Sequence, residues 1–455
     1  IGDAKYETLA DALAAAKDGD TIKLLDNVDL TETLIIKDKT ITLDLNGKTI
    51  SNSTDIWNES IYAWSLISVR DNGDLTIDDT VGGGTLKAKE NDCFTLDVYA
   101  YDTKNSENTK LTINAGNYVG NISAVYAFTG KVTINGGHFS IQQKESGSDP
   151  YRLTLNCYDS SYTAGGAGFT VNGGTFENFD PRNNPAEGTG TSFVAEGVGI
   201  NKDENGNFTA KSGMAAQIVD ADGNSVAAYA TLADAIAAAN AGETVKLLAD
   251  VTADVVIDKN ITLDLGGKTL TNTGAGKATI SIANGATATV KNGTVIGGAT
   301  YYNIEVTKGS NANLTLEDVT ATAGNTGSSM IDNWGTMTIK SGTYTGGMNT
   351  VKSEEGSTLV INDGTFTCDY GKKWSYTATI LVYGKTTING GTFTGKASVY
   401  QTNVQNTGSA NVKASVKNGN FNGMVKGETN GTIAVSGGTF TSEVPQNCCA
   451  PGFVP

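Results

Sequence analysis

The apolar positions along the chain follow two different periods. Leu9, Ala12, Leu13 and Ala16 fall on one face of a helix within an alanine-rich run, a composition of high helix propensity. Thr8 precedes the run as an N-cap, and Asp11, three residues on, completes a capping-box-like pair. Gly19 stands where a C-cap glycine would stop the helix. From Thr21 the period becomes two, in TIKLL and then LIIKDKTITLDL, which reads as strands. The pattern predicts a short helix over about 7–18, followed by β-structure.

The same passage occurs twice. Residues 229–269 repeat residues 6–49 at Tyr, TLADA, AAA, the glycine, KLL, ITLDL and GKT, with three residues deleted. Thr231, Asp234 and Gly242 take the places of Thr8, Asp11 and Gly19, so a second helix is expected over about 230–241. Two like-built domains follow, 1–198 and 227–455. The intervening 199–226 holds Asn205-Gly206 and Asp222-Gly223 between alternating residues, which predicts a hairpin linker.

A shorter repeat runs inside each half, with the core apolar-Thr-Ile-Asn-Gly-Gly-Thr-Phe. The first half has LTIDDTVGGGTL, LTINAGNY, VTINGGHF and FTVNGGTF. In the second half the apolar anchors are Val290, Leu316, Ile339, Ile361, Ile388, Val416 and Val435, spaced by 26, 23, 22, 27, 28 and 19 residues. One anchor per 20 to 30 residues marks a solenoid. The repeat residues Thr, Ile, Val, Phe and Tyr favour strands, and the Asn-Gly, Asp-Gly and Gly-Gly pairs between them turn the chain sharply.

These features predict an all-β solenoid. Two tandem parallel β-helices are expected, each with a short N-terminal capping α-helix. Successive coils would stack about 4.8 Å apart. Ile113, Ile134 and Val171 would then line up inside, as would Phe139, Phe176, Phe366, Phe393 and Phe440. The helix has a physical role in such a column, because the open end exposes apolar side chains and unpaired strand edges.

Composition narrows the functional classes. Glycine accounts for 56 of 455 residues and proline for 6, and the net charge is −16. That acidic balance, with arginine only at 70, 152 and 182, excludes a nucleic-acid partner, which needs a basic footprint. No apolar run approaches the 18 or so residues of a membrane span, so no membrane insertion is expected. Cys93, Cys157, Cys368, Cys448 and Cys449 show no zinc spacing and are too few for a disulfide scaffold. They read as ordinary thiols, with a pairing of Cys448 or Cys449 left open. Ile1–Ala4 aligns with the last linker strand and APGFVP with residues just before it, which suggests a piece of a longer array.

TLADALAAAKDGDTIKLL, ITLDLNGKTI and the INGGTF variants resemble the Gly-Gly-Thr-Phe repeat domains of large secreted bacterial surface proteins. The resemblance covers nearly the whole chain. It implies a pectin-lyase-like, right-handed β-helix, an extracellular cell-surface location and an adhesin-like role.

Catalytic signatures are sparse. The single histidine, His138, occupies the Thr position of INGGTF and reads as a surface substitution. Asp78-Asp79 and Glu317-Asp318 occupy turn positions and read as solvated corners rather than a glycosidase pair. Asp220–Asn224 faintly resembles a calcium loop but lacks the distal Glu, so a plain turn is expected. The Gly-His-Gly and Arg-x-Lys signatures of pectin-degrading hydrolases do not occur. No catalytic residue, cofactor or metal ligand is therefore assigned.

Aromatic residues give the better hint. Trp57, Tyr62 and Trp64 lie in one segment, Tyr99 and Tyr101 in another, and Tyr370, Trp374 and Tyr376 in a third. Solvent-facing rings stack on sugars while Asp and Asn bond the hydroxyls. The expectation is a monomeric, non-catalytic, rod-like surface module binding glycans or host surface proteins. A β-helix polysaccharide lyase or hydrolase and a phage tailspike-like fibre are the alternatives. Burial of Trp57, Trp64, Trp334 and Trp374 together would remove the sugar-stacking idea.

Overall fold

In a computed structural model, which describes residues 1–455 except 91–92, 102–105, 144–152, 189, 325–326, 369, 371–376, 396–401, 407–413 and 428–432 and gives 402–406 as backbone alone, Thr8 opens the first helix. Its hydroxyl accepts the Asp11 N–H at 3.0 Å and donates to the Asp11 carboxylate at 2.7 Å. The helix, Leu9–Ala15, buries Leu9 and Ala12. Thr231 and Asp234 repeat the device for Leu232–Ala238.

The glycines expected to cap these helices do not. The chain leaves the first helix at Ala16, which is extended. Gly19, at φ 87°, sits in the following turn, and its N–H bonds Thr40 O. Lysine performs the capping instead. Lys39 Nζ donates to Leu13 O and Ala16 O at 2.6 and 2.9 Å, and Lys259 Nζ donates to Ala237 O and Ala239 O at 2.5 and 2.9 Å. An ammonium satisfies unpaired carbonyls and complements the negative end of the helix dipole at once.

The chain is mostly β, with 45 % strand and 7 % helix, and its sheets are built largely of parallel strands. It divides into two compact units, Ile1–Gly213 and Met214–Pro455, each with its own apolar core. No helix among the described residues is long and apolar enough to cross a membrane.

In the second unit Val290, Leu316, Ile339, Ile361, Ile388, Val416 and Val435 stand directly opposite one another on successive parallel strands. All are buried. Tyr344, Phe366, Phe393, Phe421 and Phe440 form a second row, with ring centroids 4.7–5.0 Å apart and planes within 11° of parallel. That spacing is the separation of paired strands, so backbone pairing sets the stack. In the first unit Ile113, Ile134 and Val171 align in the same way, and Tyr118, Phe139 and Phe176 stack at 4.9 and 5.1 Å. Where Tyr replaces Phe its hydroxyl finds a carbonyl three residues back, Ala115 O at 2.6 Å and Ser341 O at 2.8 Å.

The Gly-Gly pair has two separate causes. A Cβ on Gly136 would meet Asn114 O at 2.3 Å, and Gly137 takes φ 103°. The first glycine permits close strand approach and the second the turn. Asparagines before the glycines cross-link the corners: Asn114 Nδ2 donates to Asp78, Asn135 to Asn114 and Asn172 to Asn135, at 2.7–2.9 Å.

Two hairpins stand at Asn205-Gly206 and Asp222-Gly223, the second running on to Tyr229. Gly199–Lys202 pairs antiparallel with Phe208–Lys211, which in turn pairs with Gly173–Phe176. Ala216–Val219 pairs with Ser225–Tyr229 and with Thr244–Leu247. Each hairpin joins a different unit, since its strand edges extend the nearest sheet. Asp220 accepts the N–H groups of Asp222 and Asn224 and so forms a plain turn. None of the five cysteines is joined in a disulfide, and all but Cys449 are buried.

Candidate functional site

One sheet of the first unit carries a different outer face. It pairs Leu34–Lys37, Ser65–Arg70, Phe94–Tyr99, residues 125–129 of strand Val125–Ile134, and Leu155–Cys157, all parallel. Ile67, Leu96, Val125 and Leu155 form one inward row and are fully buried. With a period of two, the alternate positions point outward. In Val125–Ile134 those positions hold Tyr126 and Phe128, both half-buried.

These rings join others into one cluster. Trp64 lies 4.6 Å from Phe128, Tyr126 lies 4.3 Å from Phe128, and Phe94 stacks on Tyr126 at 5.0 Å. Tyr62 stacks on Tyr99 at 5.7 Å, Trp57 packs on Trp64 and Phe94, and Tyr158 closes the far edge against Phe128. Phe94 is buried, and Trp64 and Tyr99 are half-buried. The rim stays open: Trp57 is 42 % exposed, Tyr62 46 % and Tyr158 50 %.

The local sequence explains the placement of Trp57, Tyr62 and Trp64. Asn58 Oδ1 accepts the Ser60 N–H and starts a single turn, Glu59–Ile61, that ends with Tyr62 at φ 55°. A left-handed tyrosine is strained. Arg70 holds it, donating to Ile61 O and Tyr62 O, each at 2.8 Å. The third arm of Arg70 donates to Ser68 Oγ at 2.9 Å, and Ser68 donates to the buried Asp97. Ser65 donates to the other Asp97 oxygen at 2.9 Å. Burial pushes the Asp97 carboxyl up from 3.8 to about 6, against the lowering effect of the Ser68 and Ser65 hydrogen bonds and the Arg70 charge.

A cleft of about 460 Å³ adjoins the rings, lined by Lys37, Asp38, Tyr62, Arg70, Asp71, Asn72, Tyr99 and Tyr101. Asp71 accepts Lys37 Nζ at 2.9 Å and the Tyr101 N–H at 2.7 Å. Partial burial alone would raise Asp71, but these two hydrogen bonds together with the Lys37 and Arg70 charges outweigh it and hold the carboxyl below its ordinary value. Tyr101 is 75 % exposed at the cleft mouth. The arrangement presents ring faces for apolar contact and, within one cleft, acceptors and donors for hydroxyls.

Of the aromatic residues singled out from sequence, the fold brings Trp57, Tyr62, Trp64 and Tyr99 into this cluster and sets Tyr101 at the cleft. Tyr370 is only 6 % exposed, packed away from solvent, and so presents no ring for a ligand. Trp374 and Tyr376 lie outside the described residues. Sequence reasoning missed Phe94, Tyr126, Phe128, Tyr158 and the Lys37, Arg70 and Asp71 polar set. The alternation in VYAFTG, with rings at outward positions, was the available signal.

His138 is exposed and stands 3.4 Å from Glu177. Asp79 accepts the Gly47 and Gly84 N–H groups, and Glu317 pairs with Lys340 at 3.1 Å. These groups serve corners and surface pairs. Among the described residues no group of three or more His, Cys, Asp or Glu side chains is arranged to hold a metal ion. Comparison with known proteins gives no match to any family model, curated sequence or solved structure.

Proposed function

We propose that each unit winds as a right-handed parallel β-helix of the Gly-Gly-Thr-Phe repeat type. On this reading the chain is a non-catalytic, adhesin-like module of a bacterial surface protein, exposed outside the cell. Its first unit binds a glycan on the aromatic face. Unbroken rows of opposed residues 19 to 28 positions apart, buried together, support the winding.

The glycan reading rests on one observation: the open rings Trp57, Tyr62 and Tyr158, packed against the rings of one sheet face beside a polar cleft. Lone exposed rings carry little meaning, whereas a contiguous set on a scaffold marks an interaction surface. Two of the acids there are engaged. Asp71 is paired with Lys37, and Asp97 is sealed beneath Ser65 and Ser68. Neither is free to protonate or attack a glycosidic bond, which favours binding over cleavage.

Glycan-array screening of the intact chain, followed by calorimetry on the best ligand, tests the reading. Trp57→Ala and Tyr62→Ala should each weaken binding roughly 2- to 10-fold, the value of one ring contact. Binding insensitive to both substitutions, or release of new reducing ends from any polysaccharide, refutes it.

A further inference from the structure

The second unit has its own version of this face, with different chemistry. By the internal repeat, Leu34–Lys37 corresponds to Val255–Ile257, and Ile35 to Val256. Following the registers outward from these, Ser68 and Asp97 correspond to Ser281 and Glu305. Both units thus place a serine and an acid side by side on the same face. Ser281 Oγ donates to Glu305 Oε1 at 2.7 Å, as Ser68 donates to Asp97. Beyond this point the units diverge. The row continues with Tyr126 and Asn156 in the first unit, but with Asp332 and Lys352 in the second.

Asp332 is 1 % exposed. Its Oδ2 accepts the Trp334 indole N–H at 2.8 Å, while no hydrogen-bond donor reaches its buried Oδ1. Burial and then the nearby Glu354 carboxylate raise its proton affinity, against the lowering effect of the Lys352 charge and the Trp334 hydrogen bond. Tyr301 and Tyr302 stand beside these acids with centroids 4.7 Å apart. Burial raises both phenols, followed by the charge of Glu305 and then Asp332 at Tyr301, and by that of Asp332 first at Tyr302. A buried carboxylate oxygen without a donor, in an acidic row next to ring faces, favours a further cation. The chain already shows what kind. Lys308 Nζ sits over the Trp334 ring at 4.3 Å, and Lys352 Nζ pairs with Glu354 and lies 5.5 Å from the Tyr383 centroid. Lys308 itself is exposed.

We propose that this face binds the ammonium group of an amino-sugar polymer. The amine sits between the Glu305 carboxylate and the Trp334 and Tyr302 rings, and displaces Lys308 from the indole. The sugar's C–H face covers the rings, and the ammonium adds its charge and donors beside Glu305 and Asp332. The proposal is independent of the glycan reading of the first unit.

Calorimetric titration of the full chain with fully deacetylated glucosamine oligomers, with their N-acetylated counterparts and with oligolysine of equal charge provides the test. The deacetylated oligomer should bind, and the N-acetylated one should bind at least 10-fold more weakly. Glu305→Gln, at a half-buried position, should weaken binding at least 5-fold with an unchanged melting curve. Lys308→Ala should strengthen binding about 3-fold or more, which a merely structural role for Lys308 does not predict. Tyr62→Ala in the first unit should leave this binding unchanged. Absence of binding, equal binding of the N-acetylated oligomer, tighter binding of oligolysine, or weakening by Lys308→Ala overturns the proposal.

Discussion

Asp97 is a carboxylate held at a stability cost, and removing its charge should stabilise the first unit. It is fully buried, and its carboxyl is raised from 3.8 to about 6. A carboxyl whose folded-state value exceeds its unfolded value destabilises the fold when ionised in both states. The penalty is complete above about pH 6, shrinks between about 6 and 4, and is absent below the unfolded value. From 3.8 to about 6 the penalty corresponds to about 3 kcal/mol. Asp97→Asn removes the charge and keeps one acceptor for Ser68 or Ser65, at the cost of one charged hydrogen bond, about 1 kcal/mol. The net expectation at pH 7.5 is a gain of about 2 kcal/mol, or about 4–8 °C in melting temperature for a unit of this size. At pH 4 the gain should nearly vanish. Thermal melts of wild type and variant from pH 4 to 8 measure this directly. Destabilisation by Asn at pH 7.5, or an effect that does not change with pH, would show that the serine and arginine partners outweigh burial.

Phe393→Ala removes the central ring of the five-ring stack, and a buried Phe lost without collapse costs about 3–5 kcal/mol; a fall in melting temperature of the second unit under about 3 °C contradicts the packing described. Lys39→Met leaves Leu13 O and Ala16 O without their ammonium and should cost about 1 kcal/mol, read as faster amide exchange confined to residues 9–16. Thiol labelling of the native protein should modify Cys449 first, with Cys157 the slowest because burial pushes its thiol far up; all five should react in denaturant, and fewer than five would reveal a disulfide.

The repeat anchors were readable because a parallel ladder has a strict local grammar. Asn-Gly-Gly turns, flanked by β-formers with an aromatic three or four residues on, can be found without knowing what they touch. The anchors Val290 to Val435 then stand opposite one another with no shift of position. The helix starts were equally local, since a Thr cap bonds three residues ahead. The helix ends were not. Lys39 reaches back 23 to 26 residues to find its carbonyls, and no local rule connects it with the helix.

The sequence by itself determined the duplication, the strand-and-corner rhythm, the buried aliphatic and aromatic rows and the absence of familiar catalytic motifs, because each depends on contacts at a fixed short spacing. Only the tertiary structure decided which outward positions share a face. Tyr99 and Tyr126 both reach Phe128 because loops of unequal length deliver their strands to one sheet. Glu305, Asp332 and Lys352 meet because pairing sets residues 20 and 27 positions apart side by side. Loop length carries no local signal of register; the hydrogen-bonded ladder imposes it.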